Sequence, residues 1–185
     1  MAKLKKSQNR KGCHPPPNFR PAEGVVSACF SNYAPPFIRP VVRRGRRAEG
    51  MRYERKAQAY LDEAAKGKYI PSPWLRFANK PTRGVAKTVQ WCQPDGIIID
   101  LFAGLITIVE IKLQHTSNAW FQTRQLYEPV LQAIFPRWLW SYSVIEVVCW
   151  MDPDVAFPER FSFIPDILEA RAGGFHVHLW NPRHR

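Results

Sequence analysis

The stretch Gln93-Pro94-Asp95-Gly96-Ile97-Ile98-Ile99-Asp100-Leu101-Phe102-Ala103-Gly104-Leu105-Ile106-Thr107-Ile108-Val109-Glu110-Ile111-Lys112 decides how the chain folds. Two apolar, β-branched runs flank Ala103-Gly104, and the pattern predicts a β-hairpin with those two residues at its turn. Charged groups stand inside strands that otherwise read as buried. An unpaired charge is costly to bury, so such groups pair with one another or hold a metal ion. The hairpin is therefore where chemistry is expected.

A two-residue turn sets Ile97 opposite Glu110 and Asp95 opposite Lys112. Side chains alternate between faces along a strand, so this register gathers Asp95, Glu110 and Lys112 on one face. Asp100 then falls opposite Thr107 on the other face. A three-residue turn would shift the register by one and bring Asp100 to Glu110 in place of Asp95. Asp95 is the favoured first acid and Asp100 the alternative acid. Two carboxylates with an ammonium beside them suit a hard divalent cation. Mg²⁺ takes oxygen ligands, keeps several waters and needs only one or two carboxylates. Such an ion lowers the pKa of a bound water and polarises a phosphoryl oxygen. Lys112 is placed to orient that water or to stabilise charge developing on the phosphate. The bland reading of the same triplet is a cross-strand Asp–Lys pair beside a glutamate, without catalysis.

Pro94-Asp95, a hairpin, then Glu110-Ile111-Lys112 resembles the signature of the PD-(D/E)xK nuclease superfamily, and Gln93-Pro94-Asp95-Gly96 is similar to the entry of its phage exonuclease and resolvase members. The resemblance implies an α/β fold: a restriction-endonuclease-like αβββαβ core with a mixed central sheet flanked by helices, running from about Ala48 to Trp150. It implies Asp95 and Glu110 as ligands of Mg²⁺, with Mn²⁺ as a substitute, the carbonyl of Ile111 as a further ligand, and Lys112 as the catalytic residue that steadies the developing charge. Members often carry an extra glutamate on the first helix, aimed at the metal. Glu54 matches that position by order and by face.

The flanking residues agree with this order. Ala48 to Lys66 has good helix formers, no proline and Gly67 as a stop signal. Glu54, Ala57, Leu61 and Ala64 share one face of that helix, and a β-rich stretch follows at Val85 to Trp91. Ser117 to Phe135 reads as helix with Ser117 as N-cap, and Pro129 should kink or divide it. Val144 to Trp150 reads as a buried strand, Ile164 to Ala172 as a short helix and Phe175 to Trp180 as a closing strand. Some exonuclease branches carry a Gln and a Tyr on the helix after the lysine with three residues between them. Gln122, Gln125 and Tyr127 occupy this helix at other spacings. Gln114, His115, Gln122 and Gln125 are candidate contacts to nucleic acid, and His115 a candidate acid for the leaving oxygen.

Composition points to a polyanionic partner. The chain has 27 Lys plus Arg against 15 Asp plus Glu, a formal net charge of +12. Such an excess neutralises phosphates and releases counterions. Much of it lies in residues 1–47, where Arg43, Arg44, Arg46 and Arg47 close a proline-rich stretch. That stretch reads as a largely disordered basic arm, with Val25 to Phe30 and Phe37 to Val42 apolar enough to dock on the core. Residues 48–185 then form the nuclease-like domain, of common domain size. The tryptophans read mostly as core, with one or two free to stack on unpaired bases. The 4 cysteines show no zinc-like spacing, and no Walker-type loop appears. No run is long enough to span a bilayer and no secretory h-region is present, which suits a cytoplasmic protein of a bacterium or phage-infected host. The expected function is a metal-dependent hydrolase of phosphodiester bonds in DNA, of phage or mobile-element type, with a homodimer as the expected assembly by analogy. The alternative is a non-catalytic nucleic-acid-binding or virion/assembly protein on a nuclease-like scaffold.

Overall fold

The computed structural model describes residues 13–38, 45–80, 89–151 and 155–182, with residues 46 and 47 described by their backbone alone. The protein is a mixed α/β fold with two sheets and few helices. In chain order the elements are β1 (Val25–Ser31), α1 (Arg46–Ala64), β2 (Tyr69–Pro71), β3 (Trp74–Asn79), β4 (Val89–Cys92), β5 (Gly96–Asp100) and β6 (Leu105–Gln114). Then come α2 (Ser117–Gln122), a π-helical turn (Thr123–Tyr127), α3 (Glu128–Gln132), β7 (Ser141–Trp150), β8 (Ser162–Phe163), a 3₁₀ turn (Ile167–Glu169) and β9 (Phe175–Leu179).

The larger sheet has the order β2-β5-β6-β7-β9-β8. β2, β5 and β6 pair antiparallel, whereas β6-β7, β7-β9 and β8-β9 pair parallel. β6 and β7 lie at its centre and are buried almost end to end. Their near-continuous apolar runs are what a strand covered on both faces requires. One face packs on α1: Tyr53, Ala57 and Leu61 meet Ile98, Val109, Ile111, Ile145 and Val147. The opposite face carries Ile97, Ile106, Ile108, Val144 and Val148, which pack against Ala119, Tyr127, Val130 and Leu131 of the α2–α3 layer and against Leu75, Phe77 and Cys92 of the smaller sheet. That smaller sheet is antiparallel, in the order β1-β3-β4.

Several expectations are corrected. The strand before the hairpin does not join the central sheet: β4 pairs with β3, and β2 takes the place beside β5. Residues 85–88 lie outside the described residues. The helix expected over Ile164 to Ala172 is a single 3₁₀ turn, opened by the Asp166 carboxylate accepting from the Leu168 N–H. α2 begins with Thr116, not Ser117, at its N-cap. Within the span expected as an arm, β1 pairs with β3 and Ala22 is buried in the core. Residues 1–12 and 39–44, with Arg43 and Arg44, lie outside the described residues, as do the side chains of Arg46 and Arg47.

Pro129 explains both the broken helix and the order in the arm. Proline has no N–H, so Gln125, four residues earlier, loses the donor that an α-helix would give its carbonyl. The chain opens into the π turn just there. The N–H of Ala22 donates to the Gln125 carbonyl instead, at 2.8 Å. Ala22 is buried in the core, and Phe19 meets Phe121 edge-on. The N-terminal segment therefore completes the helix that proline interrupts.

Candidate functional site

The hairpin loop spans Leu101 to Gly104, longer than a two-residue turn, because Asp100 pairs with Leu105. Gly96 pairs with Val109, so one step further Asp95 comes beside Glu110 rather than Lys112. The register differs from the expected one by two residues. Two is an even number, so every side chain keeps its face. Asp95, Glu110 and Lys112 therefore share the face that α2–α3 covers.

Asp95 sits where the chain passes from the smaller sheet into the larger one. Its Oδ2 accepts from the Ile111 N–H at 2.7 Å. In an extended strand the N–H and C=O of one residue point the same way, so the Ile111 carbonyl faces the Asp95 side. The Asp95 carbonyl accepts from the Tyr69 hydroxyl and from the Ser72 N–H, each at 3.0 Å, and from Gln58 Nε2 at 3.4 Å. Ser72 has φ 42°, a left-handed conformation that costs a non-glycine residue energy and recurs at constrained sites. Gly96 is required by this arrangement: a Cβ there would lie 2.1 Å from the Tyr69 ring. Burial raises the Asp95 pKa, while Lys112 and the Ile111 N–H pull it down.

Glu110 is 1% exposed. Its Oε1 accepts from Lys112 Nζ, and its Oε2 is buried with no hydrogen-bond partner. Burial first, and Asp95 next, push its carboxyl up to about 8. The Lys112 ammonium is half-buried. Desolvation weakens its hold on the proton, but Glu110 and Asp95 outweigh that and raise its pKa.

A third carboxylate of the cluster, buried like Glu110, was missed. β6 and β7 place Glu146 directly beside Glu110, on the same face. Burial raises its pKa, against the pull of His115, the Thr116 N–H and Lys112. The signal was available: Val144-Ile145-Glu146-Val147-Val148 is an apolar run holding one acid, the same pattern that selected Glu110. Glu146 Oε2 is bonded to His115 Nδ1, and its Oε1 accepts from the Thr116 N–H at 3.3 Å. His115 is fully enclosed, with its ring 4.7 Å from that of Phe157 and 4.9 Å from that of Phe161. It is thus walled in beside Glu146 and not presented to a phosphate at the surface.

Glu54 lies on α1, across the sheet from Glu110, and is half-buried. Its charge acts with that of Asp95 on Tyr69, whose hydroxyl pKa is raised first by burial. One helical turn on, Gln58 reaches the Asp95 carbonyl and Ser72 Oγ. Glu54 therefore approaches the site by way of the Asp95 clamp. From the other side comes Tyr127, buried, its pKa raised first by burial and then by Glu110 and Asp95. The Gln122 side chain hydrogen-bonds it. A π turn closes i→i+5 bonds, so Gln122 and Tyr127, five apart, meet as residues four apart do in an α-helix.

The remaining candidates are placed as follows. Asp100 stands at the other end of the hairpin, bonded to Lys68 at 2.8 Å and to the Phe102 and Ala103 N–H groups at 3.0 Å. The Lys68 hydrogen bond and those N–H groups hold its pKa down. The structure therefore does not bring Asp100 to Glu110. Gln114 is half-buried at the end of β6, paired with Trp150. Gln125 is half-buried, with its carbonyl taken by Ala22. Arg124 is consumed by Glu128 and Glu159, at 2.8 and 2.9 Å. Trp138 and Trp150 are exposed and do not belong to the core. Among the described residues no group of three or more His, Cys, Asp or Glu side chains is arranged to hold a metal ion, and no helix is long and apolar enough to cross a membrane. Comparison with family models, with curated proteins and with solved structures finds no match for this chain.

Proposed function

We propose that the protein is a Mg²⁺-dependent nuclease acting on DNA, on a restriction-endonuclease-like core. The observation that carries this reading is the orphaned Oε2 of Glu110. A buried carboxylate oxygen without a donor costs free energy, and here it sits beside two further acids with one ammonium to balance them. A cation resolves that imbalance. The order α1, β2, β5, β6, α2–α3, β7 supports the proposed core, with two antiparallel pairs followed by a parallel strand.

Asp95 and Glu110 would hold the ion, with the Ile111 carbonyl beside them; two carboxylates suit an ion that keeps most of its waters. An ion held by these residues would supply an acidified water and polarise a phosphoryl oxygen. Lys112, now paired with Glu110, offers its ammonium to charge growing on the phosphate. Glu146 keeps negative potential next to Glu110, and its bonds to His115 and Thr116 fix the turn that begins α2. Tyr69, Ser72 and Gln58 hold the backbone of Asp95 in place, and Glu54 adds negative charge at that clamp.

The test is cleavage of plasmid and linear DNA in Mg²⁺ or Mn²⁺ by the wild type, Glu110→Ala and Lys112→Ala. Turnover by the wild type and its loss in both variants is expected. Equal cleavage by all three, or none by the wild type, overturns the reading. The non-catalytic alternative predicts salt-sensitive DNA binding without Mg²⁺-linked thermal stabilisation.

A further inference from the structure

We propose that the indole of Trp150 is a stacking platform for an unpaired base next to the phosphate held at Lys112, which makes single-stranded or locally unpaired DNA the preferred substrate class. The position of that phosphate rests on the nuclease reading above; the platform itself rests on the sheet.

In the parallel β6–β7 ladder, Glu110 pairs with Glu146, Lys112 with Val148 and Gln114 with Trp150. Paired residues of parallel strands point to the same face, and each second residue returns to it. Trp150 is thus on the acid face, two residues beyond the level of Lys112, roughly 6–7 Å along the strand. The core residues of that face, Val144 and Val148, are fully buried, yet Trp150 is 51% exposed. Leu179, which pairs with Val148, is exposed beside it. An exposed large apolar group beside a buried charged site is the informative exception to normal burial. About half of the Trp150 surface is open to solvent, and among the described residues its ring stacks on no other aromatic ring. Its register partner Gln114 brings an amide able to donate to a base edge or a phosphate.

The occupant follows from chemistry. The net charge of +12 attracts a polyanion. Every base has a π-face, so stacking on tryptophan is tolerant of sequence. In a duplex both faces of each base are already stacked on neighbours, so only an unpaired or terminal base can use the platform. Trp138 provides the contrast. It is 83% exposed but stands before the start of β7, at the far end of the sheet from Lys112. Exposure alone does not single out Trp150; its place in the register does.

The experiment measures binding of a fluorescently labelled oligothymidine and of a duplex of equal length, without divalent metal, to the wild type, Trp150→Ala, Trp150→Phe and Trp138→Ala. Trp150→Ala should bind the single strand about tenfold more weakly. Its duplex binding should hold within about twofold, Trp150→Phe should retain most affinity, and Trp138→Ala should match the wild type. Should thermal melts show Trp150→Ala unfolded, Trp150→Leu, apolar but without a π-face, takes its place with the same expectation. No selective loss on the single strand, or equal losses on both probes, overturns the platform. The same proteins are then assayed for cleavage in Mg²⁺. Selective binding loss with no cleavage by the wild type sinks the nuclease reading alone. Metal-dependent cleavage with an unchanged single-strand preference sinks the platform alone.

Discussion

The two ends of β5 each carry an aspartate, and the two aspartates live in opposite environments. Asp100 has an ammonium at 2.8 Å, two backbone donors and solvent around it. Each hydrogen bond there favours its charge and outweighs a smaller desolvation, and the pair closes the hairpin loop. Asp95 also has a lysine nearby, but shares it with Glu110 and Glu146 in a buried place. Burial there opposes its charge, and a neighbouring acid keeps an oxygen without a donor. An Asp–Lys proximity is thus a finished structural pair at one end and part of an unbalanced cluster at the other. The difference is the ratio of charges and the dryness of the place, not the residue types.

The sharpest way to break this contrast is at Glu110. Glu110→Gln keeps the shape and removes the charge, and should lower Mg²⁺-dependent cleavage by at least about 10²–10³-fold. Without metal and above about pH 8 it should melt no lower than the wild type, because a disfavoured buried charge has gone. A wild-type cleavage rate in this variant would equate the two ends.

Next in size is the dependence of metal-free stability on pH. The Glu110 carboxyl is pushed from 4.5 up to about 8 in the folded protein. A folded-state pKa above the unfolded one contributes stability that is complete below the lower value and is lost as pH rises through the higher one. Melting in a chelator should therefore fall from about pH 5 to about pH 8 and then level off. Asp95 and Glu146, also raised, add to the fall. Glu110→Gln should flatten it, and Mg²⁺ should restore the loss at the alkaline end. Asp100 acts in the opposite sense: its pKa is lowered, so its contribution is present at neutral pH and lost on acidification.

Gly96→Ala tests the Asp95 clamp. The added methyl would meet the Tyr69 ring, and overpacking of this kind costs about 1–3 kcal/mol. A lower melting temperature together with a weaker Mg²⁺ dependence is expected; an unchanged melt would mean that Tyr69 yields freely. The smallest effect belongs to Asp100→Asn. A partly exposed ion pair contributes under about 1 kcal/mol, so a slightly lower melt with unchanged cleavage is expected. A strong loss of cleavage would move the site to the turn end.

The acid face was legible because alternation has a period of two. The loop is longer than the turn inferred from Ala103-Gly104, since Leu101 and Phe102 read as strand by hydrophobicity yet lie exposed in the loop. That error displaced the register by an even step and left Asp95, Glu110 and Lys112 together. Glu146 was not legible as a partner, because local sequence does not say which residue of β7 stands beside Glu110. Nor was the place of β4. A strand before a hairpin reads as its neighbour in the sheet, whereas the short β2, with a proline at its end, fills that position. Of residues 13–38, the docking of Val25 to Phe30 was legible from their apolar character, since β1 lies there and Val25 and Ala28 pack on the core, whereas prolines and basic residues masked buried Ala22.

The bond from the Ala22 N–H to the Gln125 carbonyl gives the front of the chain two unequal parts. Shortening it by residues 1–12 removes the cations Lys3, Lys5, Lys6, Arg10 and Lys11, and the expected effect is weaker attraction to phosphate. Cutting back through residue 24 withdraws a backbone donor and a core methyl from the turn on which Gln122 and Tyr127 meet. A trimmed protein of the second kind would lose packing around that turn, far from the cut, and the damage would be mistaken for missing charge.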